Sequence, residues 1–250
     1  CMKGKKYSLI FGGILLILWS VSTRDGGLMP SPKTVIYALF NLLRNGYNDV
    51  PFWHHFGMSM YRLFLALFLA VIIGVPLGLL SGYYEPFRSM VEPFINFYKP
   101  LPPLSYYVLI IMWLGIDEKS KVMLLFLAAF APIYISVSSS VINVRQDYIL
   151  SAKSLGANNW NVFKTVIIPA SLPGIMMGVR TAFGVAYTTL ASSEMIAATS
   201  GLGWLVMDAY NYLKTDVVIA TIFIMGLTGV LMDWLIKKFN EKFIFWSGRV

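Results

Sequence analysis

Four ionisable side chains interrupt long apolar stretches of this 250-residue sequence, and they are the residues that could do chemistry inside a membrane. They are Arg62, Arg180, Glu194 and Asp233. An ionisable side chain at the centre of a bilayer costs about 2.5–3.5 kcal/mol on the insertion scale, so each position needs a physical reason. Arg62 and Asp233 are predicted near the ends of their stretches, where reaching the membrane surface costs little. For these two residues the pattern favours a structural role.

Arg180 and Glu194 lie in one apolar stretch and have two interpretations. They are fourteen residues apart, about 21 Å along a helix, so each needs a partner on another segment. Arg180 could attract an anion and Glu194 could anchor a gate beside the next Ser-Gly-Leu-Gly-Trp segment, or both could only pin helices together. The hydroxyls between them could line a hydrated path for a sulfonate or carboxylate, although Ser and Thr also make ordinary contacts between helices. The candidate path residues are Arg180, Thr188, Thr189, Ser192, Ser193 and Glu194.

Composition identifies the chain as an all-α membrane protein. Hydrophobic residues make up 57% of it and charged residues 13%, whereas an ordinary soluble domain has roughly 25% charged residues. About six stretches approach the ~20 apolar residues that a helix needs to cross a bilayer. We predict transmembrane helices near residues 7–21, 59–80, 101–116, 122–142, 173–195 and 217–236.

Several function classes lack their sequence signals. No P-loop, HExxH or GxSxG motif occurs, and the adjacent His54 and His55 are not spaced as ligands on one helix face. Cys1 is the single cysteine, so no Cys/His cluster indicates a metal site; it precedes Met2, which we take as the natural start. The net charge of +8 is better explained by membrane topology than by nucleic acid. We therefore predict neither an enzyme nor a metal site nor nucleic-acid binding.

Lysine and arginine are unevenly divided between alternate loops. Twelve fall on one side and six on the other, which places both termini in the cytoplasm. The first apolar stretch follows Lys3, Lys5 and Lys6; we favour a retained helix over a cleaved signal peptide. Residues 31–46 have a Ser cap, an early Pro and a terminal Asn-Gly, which predict a short amphipathic helix. That helix could lie on the outer surface or pack against the spans.

A polar segment between the fourth and fifth predicted spans is too long for a simple connection, since such connections are usually about 4–6 residues. Apolar residues at helical spacing over 147–155, followed by Gly156, predict a short helix with a glycine stop. Asn158 or Asn159 can cap a second helix, which we expect Pro169 to break. Its apolar stripe consists of Trp160, Phe163, Val166 and Ile167. A partner protein could grip this elbow, or the elbow could pack on its own membrane domain.

The elbow resembles the cytoplasmic loop signature of ABC importer permeases: EAA, three residues, Gly, nine residues, then I-x-L-P. Leu150 stands where the signature has Glu, which weakens an expected charge contact with the ATPase. Two flanking stretches, 98–121 and 180–206, extend the likeness to the nitrate/sulfonate/taurine group of these permeases, over roughly residues 50–240. The identical or conservatively replaced signature positions are Ala152, Gly156, Val166, Ile168 and Pro169.

The resemblance implies a type I ABC importer fold in one membrane domain, residues 1–250. The N-terminal span and outer helix would occupy 1–50, and the permease core, 51–240, would contain the coupling loop 143–172. In this family the loop contacts the ATPase. The residues implied to do so here are Ser151, Ala152, Leu155, Gly156, Ala157, Val166, Ile168 and Pro169.

The resemblance also implies an assembly in the bacterial cytoplasmic membrane. Two permease subunits, expected to be identical, would form the pathway, two ATPase subunits would bind the loops, and an extracytoplasmic binding protein would deliver the substrate. The ATPase would hold ATP and Mg²⁺, so this chain would bind no cofactor. The expected function is ATP-driven import of a small anion by alternating access, with taurine or another aliphatic sulfonate preferred over nitrate or bicarbonate. An ion-gradient-driven secondary transporter or channel is the alternative, but it would not need the elbow.

Overall fold

The computed structural model describes residues 2–23 and 29–244. Within these residues it confirms the all-α prediction, since the one β pairing is an isolated bridge between Tyr47 and Val50. The predictions that used Cys1, Arg24 and Arg249 lie outside the described residues. The helices are α1 (Met2–Ser22), α2 (Pro32–Asn45), α3 (Phe52–Tyr83), α4 (Glu85–Tyr98), α5 (Pro103–Leu114), α6 (Glu118–Ile142), α7 (Gln146–Ser154), α8 (Asn159–Val162), a π-helical turn (Phe163–Ile167), α9 (Ile168–Ala197), α10 (Leu202–Asn211) and α11 (Thr215–Phe243).

Four helical runs are long and apolar enough to cross a membrane. They are α3, α6, α11 and the continuous run Asn159–Ala197, which joins α8, the π-helical turn and α9. These runs contain the second, fourth, fifth and sixth predicted spans. The first predicted span lies in α1, whose apolar part, Phe11–Ser22, is shorter than the other four.

The two central helices, α3 and α6, run side by side in the same direction. Arg62, in the first part of α3, binds Glu118, the first residue of α6. At the other end, Gly82 of α3 lies against Val141 of α6. Consecutive spans of a chain cross the membrane in opposite directions. Since α3 and α6 run in the same direction, the chain between them must cross the membrane once more.

Glycines at every fourth position let α3 approach α6 closely. A Cβ built on Gly74 would lie 3.1 Å from Ile133, and one on Gly78 would lie 2.7 Å from Val137. Side chains at these positions would hold the two helices apart, which is the usual reason for small residues at contacts between membrane helices. The four-residue glycine spacing in α3 therefore serves packing within the chain.

We expect the substitution Gly78→Leu to destabilise the membrane domain by about 1–3 kcal/mol, the usual cost of overpacking a filled core. Gly226→Leu is the matched control, since Gly226 also lies in a long helix and a Cβ there meets nothing within 4 Å. Thermal unfolding of the detergent-purified protein should show a lower midpoint for Gly78→Leu only. Equal midpoints for the two variants would contradict this account of the α3–α6 contact.

The third predicted span, 101–116, is wrong as a single helix. The helix there, α5, has 12 residues and is about 18 Å long, too short for a hydrocarbon core of ~30 Å. The return crossing is made by α4 and α5 together, with Tyr107 of α5 packed against Leu124 of α6. Helix α4 ends at Tyr98 and α5 begins at Pro103. The prolines between them supply no N–H to a continuous helix, so the crossing is broken.

The short amphipathic helix predicted at residues 31–46 is α2. The Ser31 side chain caps it by accepting the Thr34 backbone N–H at 3.3 Å. One face packs on α11, where Val35 contacts Ala220. Of the two alternatives that the sequence left open, packing against a span is therefore the one that this face adopts.

Candidate functional site

The elbow turns at Gly156, as predicted. Gly156 has φ +85°; its N–H donates to the Lys153 carbonyl at 2.9 Å and the Ala157 N–H donates to the Ala152 carbonyl at 3.1 Å. These two bonds form a Schellman motif, the turn in which glycine is preferred. The Asn158 side chain then caps α8 by accepting a backbone N–H at 2.8 Å. Local hydrogen bonds thus help to fix the angle between α7 and α8, together with the packing of Ile149 and Ala152 of α7 beside Val162 of α8.

The start of the elbow carries an exposed ion pair. Arg145 binds Asp147 at 3.0 Å, and its guanidinium lies 5.0 Å from the centre of the Tyr148 ring. The hydrogen bond to Asp147 raises the pKa of Arg145, so Arg145 stays charged. These contacts leave the other side chains of α7 free to face the core or a partner.

The apolar side chains of the elbow are divided between two sides. Val162 and Ile167 are buried against Val141 at the end of α6. On the other side Leu155 is 89% exposed and Trp160 is 67% exposed. The elbow therefore packs on its own domain through one side and presents large apolar side chains on the other.

The eight predicted coupling residues divide in the same way. Half of them are partly buried, which leaves the rest to form an outer surface. The partly buried ones are Ala152, Ala157, Val166 and Ile168. The exposed ones are Ser151, Leu155, Gly156 and Pro169.

The prediction that Pro169 breaks the second elbow helix is wrong. The helix continues without a break over Asn159–Ala197. The π-helical turn Phe163–Ile167 ends two residues before the proline. The hydrogen-bond register of such a turn differs from that of an α-helix. This difference lets the helix continue although Pro169 has no N–H to donate. As a result, the elbow is rigidly continuous with a membrane-spanning helix.

The prediction that the Arg62 side chain reaches the membrane surface is wrong. Its side chain is completely buried, and it donates to Glu118 at 2.5 and 2.7 Å and to Glu194 and the Ser200 carbonyl at 2.7 Å. Lys121 binds Glu118 at 3.1 Å, which balances two cations with two carboxylates. We call Arg62, Glu118, Lys121 and Glu194 the Arg62 cluster. It joins α3, α6 and α9 at one end of the bundle.

Glu194 anchors the Ser-Gly-Leu-Gly-Trp segment that follows it. Its carboxylate accepts the Ser59 hydroxyl at 2.8 Å, an Arg62 N–H at 2.7 Å and the Gly203 backbone N–H at 2.9 Å. Gly201 has φ +128°, and a Cβ there would overlap the carboxyl group of Glu194. The segment therefore needs both the buried carboxylate and glycine at this position.

His55 adds a second anchor for the same segment. Its Nδ1 accepts the Gly201 backbone N–H at 3.3 Å, and its ring stacks on Trp204 with centroids 5.2 Å apart. The side chain is 1% exposed. His55 thus packs against the anchored segment, whereas its neighbour His54 in α3 is exposed.

Arg180 and Asp233 form a pair between α9 and α11. Both oxygens of Asp233 accept from Arg180, each at 2.6 Å, so Asp233 is paired with another helix, whereas the sequence suggested that it reaches the membrane surface. Arg180 and Glu194 each find the separate partner that their spacing required. With its Nε and Nη2 both directed to Asp233, Arg180 holds two helices together.

The four hydroxyl residues of the predicted path, Thr188, Thr189, Ser192 and Ser193, bond to their own helix. Thr189 and Ser193 are buried and donate to the Val185 and Leu190 carbonyls, each at 2.8 Å. The Thr188 hydroxyl donates to the same Val185 carbonyl at 2.9 Å, and the Ser192 hydroxyl to the Thr188 carbonyl at 3.3 Å. Thr189, Ser193 and Glu194 therefore line no open path here, whereas Thr188 and Ser192 lie at less buried positions.

A cavity of about 350 Å³ lies where the α4–α5 crossing is broken, between that break and the middle of α6 and α9. We call it the central cavity. Its wall contains no acidic side chain and one basic one, Lys99. The Tyr98 hydroxyl at its edge donates to the Leu127 carbonyl. The polar residues of the wall are Tyr98, Lys99, Tyr106, Ser136 and Thr181.

None of the six predicted path residues lines the central cavity. Thr181 of its wall lies two helical turns from Thr188, on the same side of α9. Lys99 is one of the twelve Lys and Arg residues that the loop count assigned to the inner side. It was therefore not predicted as a residue of the transport path. The signal that could have located it is the Lys-Pro-Leu-Pro-Pro run beginning at Lys99, because such a run breaks a helix inside an apolar stretch.

Comparison with known proteins gives this geometry a context. Residues 74–244 match the family described as binding-protein-dependent transport system inner membrane component, and the match includes the elbow, Glu194 and the central cavity. The chain belongs to this family. The permease is 37% identical to the taurine transport system permease protein TauC of Escherichia coli (strain K12), over 95% of its own length and 88% of TauC. It is 32% identical to the putative aliphatic sulfonates transport permease protein SsuC of the same strain, over 93% and 89% of the two chains.

The permease also shares its fold with a solved structure, inward-facing MetNI, a methionine ABC transporter. The TM-score is 0.62 at 18% identity, covering 75% of the permease and 92% of that chain. These findings confirm the type I ABC importer fold and a membrane transport subunit, which is not an enzyme. Permeases of this family act with ATPase subunits and substrate-binding proteins.

Proposed function

We propose that the permease imports a small organic anion, taurine or another aliphatic sulfonate, by ATP-driven alternating access. The observation that carries the proposal is the central cavity, whose single basic residue, Lys99, faces a wall without acidic groups. A sulfonate needs one cation and a few hydroxyl donors, and the wall hydroxyls of Tyr106 and Ser136 can supply them, whereas those of Tyr98 and Thr181 already donate to the Leu127 and Met177 carbonyls. The names of TauC and SsuC, which refer to taurine and aliphatic sulfonates, agree with this substrate class.

The proposed assembly contains two identical permease chains, two ATPase subunits and an extracytoplasmic binding protein that delivers the anion. ATP and Mg²⁺ are held by the ATPase, and this chain binds no cofactor. The exposed side chains of the elbow, Leu155 and Trp160, are the contact for the ATPase. Since the elbow is continuous with a spanning helix, a push on the elbow tilts that helix. The contacts between elbow and ATPase must differ between the ATPase states to transmit free energy.

The decisive experiment reconstitutes the permease with its ATPase and binding protein in proteoliposomes and measures uptake of radiolabelled taurine. We expect uptake only with ATP and the binding protein present. A proteoliposome with an ATPase variant that cannot hydrolyse ATP is the control. Gradient-driven uptake by the permease alone would instead support a secondary transporter.

Replacing Lys99 tests the central cavity as the path of the anion. We expect Lys99→Gln to lower the initial rate of taurine uptake about 10- to 100-fold, because a hydrogen bond to a charged group contributes about 1.5–3 kcal/mol. Lys99→Arg keeps the charge and should retain most of the uptake. Lys237→Gln, on the exposed side of α11, is the matched control. Unchanged uptake by Lys99→Gln would remove the cavity from the path.

The proposed topology places the elbow and both termini in the cytoplasm. A cysteine at the exposed position 155, introduced as Leu155→Cys in a chain without Cys1, should react with a membrane-impermeant maleimide only after sealed right-side-out vesicles are opened. Asn48→Cys, in the loop between α2 and α3, is the opposite control and should react in intact vesicles. Labelling of position 155 from outside would reverse the topology and exclude an ATPase contact.

A further inference from the structure

A second polar cavity, of about 280 Å³, lies beneath the elbow. Its wall is formed by the ends of α3 and α6, the start of α4 and the facing side of α7 and α8. Several residues of this wall are polar. They include Arg88, Gln146, Lys153 and Asn159. We call it the elbow cavity.

The charge of the elbow cavity is not balanced by the protein. Arg88 and Lys153 contribute two cations, and no Asp or Glu lines the wall. Glu85 is 3.9 Å from Arg88 but is 80% exposed, so water screens it. Within residues 2–23 and 29–244, no carboxylate lies within the 4.0 Å of an ion pair from Lys153, and Asp147 of the same helix binds Arg145.

Hydrogen-bond donors of the cavity are also left unused. Among the side chains that the structure describes, the amides of Gln146 and Asn159 and the hydroxyl of Tyr83 line this cavity at exposed positions and make no hydrogen bond within the protein. A guanidinium presents a planar fork and an ammonium a compact point charge, and both are common ligands of phosphate-type oxyanions. Neutral amide donors can complete the coordination. The wall thus offers an oxyanion both charge and directed donors.

We propose that the elbow cavity binds an oxyanion of the phosphate type between Arg88 of α4 and Lys153 of α7. The chemistry suits either the phosphodiester of an anionic phospholipid in the adjacent leaflet or a soluble oxyanion such as inorganic phosphate. In both cases the bound anion ties the elbow to the membrane helices. Any movement of α7 away from α4 opens this bridge, so anion binding favours the elbow position described here.

The proposal is independent of the transported substrate, because binding is measured without transport. Purified permease is placed in nanodiscs of phosphatidylcholine, and binding of ³²P-orthophosphate is measured by equilibrium dialysis at millimolar concentrations. In a second arm, nanodiscs contain phosphatidylglycerol and native mass spectrometry counts the lipids that the released protein retains. Orthophosphate binding identifies a soluble ligand, and selective retention of phosphatidylglycerol identifies a lipid.

Variants that remove the positive charges of the wall test whether the elbow cavity is the oxyanion-binding site. We expect Arg88→Gln, Lys153→Gln and the double variant to lower the affinity or retention at least tenfold, with the largest loss in the double variant. Lys164→Gln is the matched control: an exposed lysine of the same segment that does not line the cavity. Lys153 is itself exposed, so Lys153→Gln should fold normally and keeps the test valid if Arg88→Gln does not. Absence of binding to the wild-type protein in both arms, or equal binding by all variants, would overturn the proposal.

Discussion

Replacing Arg62 by methionine should lower the free energy of unfolding of the permease by about 3–5 kcal/mol, the cost of leaving a buried charge without its partner. Methionine fills much of the same volume, so the loss is mainly electrostatic. The variant leaves Glu194, with 0% of its side chain exposed, without a cation and removes both bonds to Glu118. Thermal unfolding in detergent and the yield of folded protein from membranes measure the effect.

A double variant separates charge from shape. Arg62→Met with Glu194→Gln removes one charge of each sign and leaves the Glu118–Lys121 pair of the Arg62 cluster intact. We therefore expect the double variant to be more stable than Arg62→Met alone. Arg145→Met, at an ion pair on the surface of the elbow, is the control and should leave the unfolding midpoint unchanged. A double variant that loses as much as the sum of its single variants would show that the two groups do not interact.

Replacing Gly156 by leucine should abolish transport by the reconstituted complex, a loss of more than 100-fold, while the permease still inserts and folds. A non-glycine residue at φ +85° costs about 1–2 kcal/mol, and the chain can relieve that cost by changing the angle of the elbow. A Cβ at this position meets no atom of the permease within 4 Å. The loss therefore arises from the altered elbow or from contact with the ATPase, and not from a clash within the fold.

Asparagine at the same position distinguishes backbone angle from bulk. Asn tolerates the left-handed conformation better than other non-glycine residues, so Gly156→Asn should retain the elbow and part of the uptake. Co-purification of the ATPase with each variant and ATP-dependent taurine uptake are measured together. The unfolding midpoint shows that each variant is folded. Normal uptake by Gly156→Leu would exclude the elbow as the coupling element.

Local sequence was sufficient to predict the turn of the elbow. The glycine stop and the Asn cap are set by residues within a few positions of one another, and their hydrogen bonds form inside a single turn. The elbow was therefore predicted correctly up to Pro169. The predicted helix break at Pro169 failed because the preceding π-helical turn, Phe163–Ile167, changes the backbone hydrogen-bond register before the proline.

The sequence by itself determined four of the spans, the elbow and the need for each buried charge to have a partner, because apolar length, helix caps and the cost of burying a charge are local properties. Only the tertiary structure decided which partners meet: Arg62 finds Glu194 132 residues away. It also decided that α4 and α5 share one crossing and that Lys99 lines a cavity at their break. Such contacts depend on how separate helices pack against one another, which spacing along one helix does not specify.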